Sequence, residues 1–369
     1  MAQPLSRGAP MALDRITLAT FRNHRETALD GARAFNLLIG DNGAGKTNVL
    51  EALSLLAPGR GLRRAALTDL PLAGGRAFAV GASLAQADGV PVRLATFVRA
   101  DQPGRRRVQV NGAQASANRL GEWLALGWLT PAMDGLFTDS AGARRRFVDR
   151  MTLALEPAHA HHTARYEAGL RERNRLLAGD DEPDPAWLDA VERHLAEHGA
   201  AIAAARARTI AAVSTELALL PREPFALPLL DLKPGGPAEH AALAEALRHG
   251  RRRERQAGRT LTGPHRDELA VTMAGKVMPA AECSTGEQKA MLIALTLAHA
   301  TLATRGRPSV LLLDEVAAHL DPVRREALFA RLAASGAQVW MTGTERAPFA
   351  AIERDAAVWR VSEGRLERA

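Results

Sequence analysis

Three observations predict an α/β fold: a parallel-sheet core around a phosphate-binding loop, interrupted by a helical insertion. Gly40-Asp41-Asn42-Gly43-Ala44-Gly45-Lys46-Thr47 matches G-x-x-x-x-G-K-[ST] at every fixed position. Leu311-Leu312-Leu313-Asp314-Glu315, an apolar run closed by two acids, lies far downstream. Between them, over residues 132–255, alanine, arginine and glutamate dominate and helical periodicity replaces alternation.

The loop has the context its motif demands. Phe35 to Ile39 is short and apolar, as a buried parallel strand should be. Asn48 to Leu56 reads as a helix with Val49, Leu50, Leu53 and Leu56 on one face. The glycines let backbone N–H groups converge on one point, and the helix N-terminus adds partial positive charge there. Lys46 is suited to the β and γ phosphates of a nucleoside triphosphate, and Thr47 to Mg²⁺. Lysine is rare in this chain, with four among 48 cationic side chains.

The run Ser309 to Leu313 reads as a strand that carries its acids to the carboxyl edge of the sheet, where ligands bind. Asp314 is then placed to hold Mg²⁺, and Glu315 to orient or deprotonate an attacking water. With Lys46 they form the expected catalytic set. A further segment, Ser284-Thr285-Gly286-Glu287-Gln288-Lys289, opens a helical run to Leu302 with a capping box formed by Ser284 and Glu287. Its place before Asp314 resembles the signature motif of ABC-type ATPases. The resemblance implies that Ser284, Gly286 and Glu287 face the γ phosphate bound by an opposite protomer. Ala317-Ala318-His319-Leu320-Asp321 resembles the D-loop of those proteins. Gln338 to Thr344 is another strand, followed by a polar turn. Thr342 or Thr344 stands there where a switch histidine is usual, which implies slow hydrolysis.

At 369 residues, one or two domains are expected. The head is assigned to residues 1–131 and 256–369, and the inserted lid or arm to 132–255. The single cysteine, Cys283, excludes an internal disulfide and fits a reducing compartment. No apolar run reaches membrane-spanning length and the start lacks a signal-peptide core, so a cytoplasmic protein without a membrane partner is expected. Met1 to Pro10 reads as a frayed extension. The net charge of +7 suggests a polyanionic partner. Arginines cluster at 105–107, 144–146, 171–175 and 251–255. With aromatics at only 4%, duplex backbone contact fits better than base stacking on single strands.

Along the chain, strands are expected over Ala77 to Ser83 and Val92 to Arg99, with a hairpin turn at Asn111-Gly112. Asp180 to Pro185 breaks two helices, and Pro221 to Gly236 is a proline-broken connection. Trp187, Val191, Leu195, His198 and Ile202 recur at helical spacing and read as core. His159, His161 and His162, at i, i+2 and i+3, do not share one helical face and have no cysteine beside them, so zinc is not expected there. No extended coiled coil is indicated.

Further strings carry a family resemblance: Phe21-Arg22-Asn23, Gly59 to Arg63, Pro131, Arg144 to Asp149, Gly263-Pro264-His265-Arg266-Asp267-Glu268-Leu269 and Ser284 to Lys289. From about Ile16 to the C-terminus the chain resembles the RecF family of bacterial recombination mediators, relatives of SMC-type ATPase heads. His24 stands where that family has an aromatic residue, and Asp139-Ser140-Ala141 lacks its glycine and proline. The resemblance implies an ABC/SMC-type ATPase head with an added antiparallel β subdomain and a helical lid, and a weak DNA-dependent ATPase. It implies Arg22 and Asn23 near the nucleotide, and Asp321 in the D-loop. It also implies an ATP-dependent homodimer on double-stranded or gapped DNA, acting with RecR and RecO and indirectly with RecA. His265 and Arg266 are open to either an ordering role or direct contact with nucleotide or DNA. Another SMC-like or ABC-type ATPase is the alternative. A transporter subunit fits least, given the basic charge and the long separation of Lys46 from Ser284.

Overall fold

A computed structural model describes residues 12–85, 89–179, 181–221 and 223–369. Met1 to Pro10, Asp180 of the inter-helix break and Arg222 of the proline-broken connection lie outside the described residues. The chain divides into two compact units. One takes the chain as far as Met133 together with Thr296–Ala369; the other is Asp134–Leu295.

The first unit begins with a hairpin of β1 (Leu13–Phe21) and β2 (His24–Asp30), then β3 (Phe35–Ile39) leads through the glycine loop into α1 (Lys46–Ser54). β4 (Phe78–Leu84), β5 (Val92–Val98), β6 (Arg106–Val110) and β7 (Ala113–Ala115) follow, then α2 (Leu120–Trp123) and β8 (Ala125–Leu129). One sheet is antiparallel, in the order β2-β1-β4-β5-β6-β7. Its strands bury alternate residues: Phe78, Val80, Ala82 and Leu84 of β4 all point inward. Asn111 and Gly112 turn the β6–β7 hairpin with φ of 52° and 81°, as an Asn-Gly pair allows.

The second unit contains α3 (Ala141–Leu155), α4 (His159–Ala178), α5 (Pro185–Leu219), β9 (Pro228–Lys233), α6 (His240–Gln256), β10 (Glu268–Met273) and β11 (Met278–Pro279). α7 (Thr285–Ala303) leads on to β12 (Ser309–Leu313), α8 (Pro322–Ser335), β13 (Gln338–Gly343), β14 (Ala356–Ser362) and β15 (Arg365–Arg368). These last strands complete the first unit's other sheet, in the order β15-β14-β3-β13-β12-β8, parallel from β14 to β8. Every residue of β3, β12 and β13 is buried, which is why their sequences are largely apolar and do not alternate. Trp340 and Trp359 stack at 5.3 Å in the core that joins α1 to both sheets.

Two expectations need correction, and one strand carries no local signal: Ala-Leu-Gly-Trp-Leu of β8 becomes a strand by pairing with β12. The connection Pro221–Gly236 contains β9, which pairs antiparallel with β10 across the intervening α6. Of the helical stripe, Leu195, His198 and Ile202 are buried, but Trp187 is 47% exposed. It lies in the first turn of α5, outside the core of Tyr166, Leu195, Ala196, Ile202, Leu243 and Leu247, with the Arg175 guanidinium 5.4 Å from its ring.

Residues 256–295 fall in the same unit as the helices. β9–β10 pairing ties them there, as does Arg206 of α5, which bonds Asp267 at 2.7 Å and Asp149 through both carboxylate oxygens. Deeper still is Arg173, fully buried, which donates to Glu192 at 3.0 Å, Thr260 at 2.9 Å, the Leu247 carbonyl at 2.8 Å, and Glu254. Removing the cation leaves the buried Glu254 carboxylate without its cation and takes from Glu192 one of its two arginines. Arg173→Leu is therefore expected to destabilise this unit by about 3–5 kcal/mol, measured by urea denaturation followed by circular dichroism. A loss too small to resolve would contradict this account of the network.

Candidate functional site

The glycine loop is built by close approaches. A Cβ on Gly40 would lie 2.1 Å from the Val361 carbonyl oxygen, and one on Gly45 would lie 2.7 Å from the Asn23 amide. Gly43 and Gly45 have φ of 82° and 114°. The turn between β1 and β2 braces the loop. Asn23 donates to the Ala44 carbonyl at 3.0 Å and accepts from Asn48 at 2.8 Å. His24, fully buried, sets Nε2 3.1 Å from the Gly45 carbonyl and Nδ1 3.3 Å from the Thr27 hydroxyl. Gly364, in the β14–β15 turn, donates its N–H to the Ala44 carbonyl at 3.0 Å.

Lys46 is buried, and its ammonium donates to the carbonyls of Gly40 at 2.5 Å and Asp41 at 2.9 Å. Burial lowers its pKa from the ordinary lysine value; Glu315, Asp314 and Asp41 oppose that shift. The Thr47 hydroxyl donates to Asp314 Oδ1 at 2.9 Å, and the Thr342 hydroxyl donates to the same oxygen at 2.8 Å. Thr342 in turn accepts the Glu315 N–H at 2.9 Å. Burial raises the Asp314 carboxyl above its usual range, against the pull of these two hydroxyls. Glu315 sits at φ 54°, a left-handed conformation unusual for glutamate and typical of strain held at functional positions.

A triphosphate with Mg²⁺ fits this set. No side chain caps the α1 N-terminus at Gly45 and no acid stands in its first turn, so its positive end is available to an anion. One buried ammonium is at hand, with a hydroxyl and a carboxylate side by side for a hard cation. Beside the loop, Gly40 to Ala44, Thr344 to Arg346 and Arg360 to Glu363 line an open groove of about 890 Å³. Of the two threonine candidates, Thr342 joins the acid cluster, whereas Thr344 lines the groove.

The remaining candidates have their own geometry. Arg22 forks onto Glu51 at 2.9 and 2.8 Å and donates to the Asp69 carbonyl at 2.7 Å. Glu51 is 1% exposed and also binds Arg63 at 2.9 Å. Glu51 is a helical glutamate without a sequence signal of its own until its two arginines are placed around it. Ser284, Gly286 and Glu287 belong to the second unit. The capping box forms as expected: Ser284 donates its N–H and hydroxyl to Glu287 at 3.0 and 2.9 Å. Lys276, followed by Ser284, holds the Glu287 carboxyl down at about 2. Ser284 and Gly286 are exposed. Asp321 caps α8 by accepting the Arg324 N–H at 2.9 Å. His265 uses both ring nitrogens, toward the Tyr166 hydroxyl at 2.8 Å and the Thr260 carbonyl at 3.1 Å, which is an ordering role; Arg266 is exposed.

Several clustered arginines are engaged internally. Arg106 donates to the carbonyls of Leu55, Ala57 and Gly59 beyond the end of α1, and burial lowers its pKa to about 10. Arg144 pairs with Glu268, and Arg251 with Glu192 and Asp189. Arg105, Arg146, Arg171, Arg252 and Arg253 are exposed. Among the described residues, no helix is long and apolar enough to cross a membrane.

The two sheets, the glycine loop and the acid-tipped strand define a P-loop head of the SMC type. The model of the RecF/RecN/SMC N terminal domain matches residues 12–366. The DNA replication and repair protein RecF of Brucella suis biovar 1 (strain 1330) is 46% identical over 371 residues, covering 96% of each chain. RecF of Mesorhizobium japonicum is 46% identical over 369 residues, covering 95% of this chain and 96% of its own. A solved structure of the recombination mediator protein RecF-ATP in the RecFOR pathway superposes with a TM-score of 0.84 at 23% identity, over 98% of both chains. The chain belongs to the RecF family.

The bracing histidine gives the site a pH signature. Burial lowers the His24 pKa below its ordinary 6.5, while the hydrogen bond to Gly45 opposes the shift. The unfolded chain therefore takes up the proton more readily than the folded one. The stability contributed by neutral His24 is present above pH 6.5 and lost as pH falls through the window below it. In urea titrations, the stability gap between the native chain and His24→Gln should narrow from about pH 7.5 to about pH 5.5. A gap that stays constant would contradict the burial of a neutral imidazole.

Proposed function

We propose that the chain is an ATP-gated DNA clamp of the recombination-mediator type, hydrolysing ATP slowly. The observation that carries the reading is the Thr47–Asp314–Thr342 cluster beside a buried Lys46. Membership of the RecF family supports it, and the name of its relatives brings DNA repair and replication into view.

In this reading the loop from Gly40 to Thr47 and the α1 N-terminus bind the triphosphate, and Lys46 exchanges its two backbone carbonyls for phosphate oxygens. Thr47 and Asp314 would hold Mg²⁺, which when bound supplies positive charge to the phosphates. Glu315 orients and deprotonates water. Thr342 fixes both acids, through the Asp314 carboxylate and the Glu315 N–H. Asn23 keeps the loop in shape, and Arg22 acts through Glu51.

Ser284, Gly286 and Glu287 of one copy would meet the triphosphate held by a second copy, with Asp321 at the same seam. Two such contacts close an isologous dimer. ATP then works by its differential affinity for the closed state. The helical insertion of residues 132–255 serves as the lid. The exposed arginines at 105, 146, 171, 252 and 253 supply backbone contacts to double-stranded DNA beside a gap. RecR and RecO are the proposed protein partners, and RecA the indirect beneficiary.

Three variants test the scheme. Lys46→Ala should abolish nucleotide binding in an equilibrium titration. Glu315→Gln should retain nucleotide, lose turnover by about a hundredfold or more, and accumulate as a DNA-bound dimer. Ser284→Arg should bind ATP normally yet give no ATP-dependent dimer by light scattering. Dimers that persist in Ser284→Arg would remove the cross-subunit role, and unaltered turnover in Glu315→Gln would remove the general base.

A further inference from the structure

Away from the nucleotide loop, α4 and α5 bring four imidazoles together. His194 and His198 stand one turn apart on α5, with Glu197 between them on the same face. Ligand atoms of His194, Glu197 and His198 all lie within 4.8 Å of one another. From α4, His162 sets its Nδ1 3.0 Å from His198 Nδ1. The His161 ring lies 5.5 Å from that of His162 and 5.7 Å from that of His198, and the His194 and His198 rings are 4.4 Å apart.

The arrangement follows from how these helices pack. A Cβ on Gly169 of α4 would lie 3.2 Å from Leu195 and 3.6 Å from the His194 ring. One on Gly199 of α5 would lie 3.0 Å from the Tyr166 ring. The two glycines let the helices approach closely on either side of the histidines. Spacing within α4 conceals this, because the cluster is completed by histidines of α5. His159 belongs elsewhere, with Nε2 2.8 Å from Asp149. The partners of His162 come from α5.

We propose that the α4–α5 histidine cluster binds a borderline first-row divalent cation of the Zn²⁺ type through His194, His198 and Glu197, with His162 resting against His198 from the second helix. The donor chemistry suits such an ion: imidazole is its common neutral ligand, and one carboxylate offsets its charge. Glu197 acts electrostatically on both His162 and His198. Glu197 and His161 are exposed, so an ion can enter from solvent, whereas His198 is 5% exposed and anchors the site. A bound ion would stabilise the insertion by linkage.

The test is zinc uptake by the full chain after dialysis against chelator. ZnCl₂ is titrated in competition with a chromophoric zinc indicator, with excess Mg²⁺ present to occupy the nucleotide site. One zinc per chain is expected. His194→Ala with His198→Ala should abolish it. Glu197→Gln, on the exposed face and so harmless to folding, should weaken it about tenfold or more. His249→Ala, an exposed histidine of α6 paired with Glu245, should leave it intact. Zinc should also raise the thermal midpoint of the native chain, and raise that of Glu197→Gln by less at the same zinc concentration. Failure of the native chain to take up zinc, or uptake unchanged in Glu197→Gln, would overturn the proposal. Neither outcome touches the nucleotide reading, which the Lys46→Ala titration tests separately.

Discussion

The head depends on one carboxylate oxygen. Asp314 Oδ1 accepts from Thr47 at the start of α1 and from Thr342 near the end of β13. Those residues lie 267 and 28 positions away along the chain. Their meeting is set by strand register: Leu313 faces Met341, and Thr342 faces Leu38, two residues before the glycine loop. A slip in either pairing would separate the hydroxyls from the acid. The cluster is buried, and desolvation alone would favour the neutral acid; the two hydroxyls work against it. Thr342 does more than satisfy that oxygen. By accepting the Glu315 N–H it helps hold the next residue in its left-handed conformation, so one threonine sets the geometry of both acids.

Support for the loop comes from a shell of small contacts rather than from the motif itself. Asn23 and Gly364 both donate to the Ala44 carbonyl, and a Cβ on Gly364 would lie 2.0 Å from the Asn23 carbonyl oxygen. The first hairpin of the chain and the last one therefore meet at the phosphate loop. Arg22, next to Asn23, is held at φ 54° by its fork onto Glu51. Such bracing fixes loop geometry in advance, which keeps the reorganisation cost of binding low. It also accounts for a histidine at position 24: a flat ring with two nitrogens fills the buried space and reaches the Gly45 carbonyl and Thr27 together.

What was legible in the sequence was what local chemistry alone dictates. The glycine loop, the capping box at Ser284 and the Asn111-Gly112 turn each depend on residues a few positions apart. So do the largely apolar strands β3 and β12, whose composition reflects burial on both faces. β8 and β9 were not legible, because their identity as strands depends on partners far along the chain. Clustered arginines misled for a related reason. A run of three cations looks like a phosphate-binding patch, yet Arg106 closes the carbonyls after α1 and Arg173 sits between two buried glutamates. Only the exposed members of each run keep the reading that composition suggested. Histidines on separate helices posed the same difficulty, since spacing within one helix says nothing about its neighbour.

The proposed cross-subunit contact carries a built-in competition. Glu287 occupies the N-terminal turn of α7, where it accepts both the N–H and the hydroxyl of Ser284. A phosphate arriving there meets a helix end already partly neutralised by a carboxylate. Lys276 offsets this by pairing with Glu287 and holding its charge. The Ser284 hydroxyl must then leave one anion to serve another, so the gain on closing is a difference between two similar bonds. A small net gain suits a reversible clamp. If ATP shifts the equilibrium by its differential affinity for the closed state, as proposed, closure driven this way would also open readily once the γ phosphate is lost. A helix end without Glu287 would bind phosphate more strongly and release it less easily.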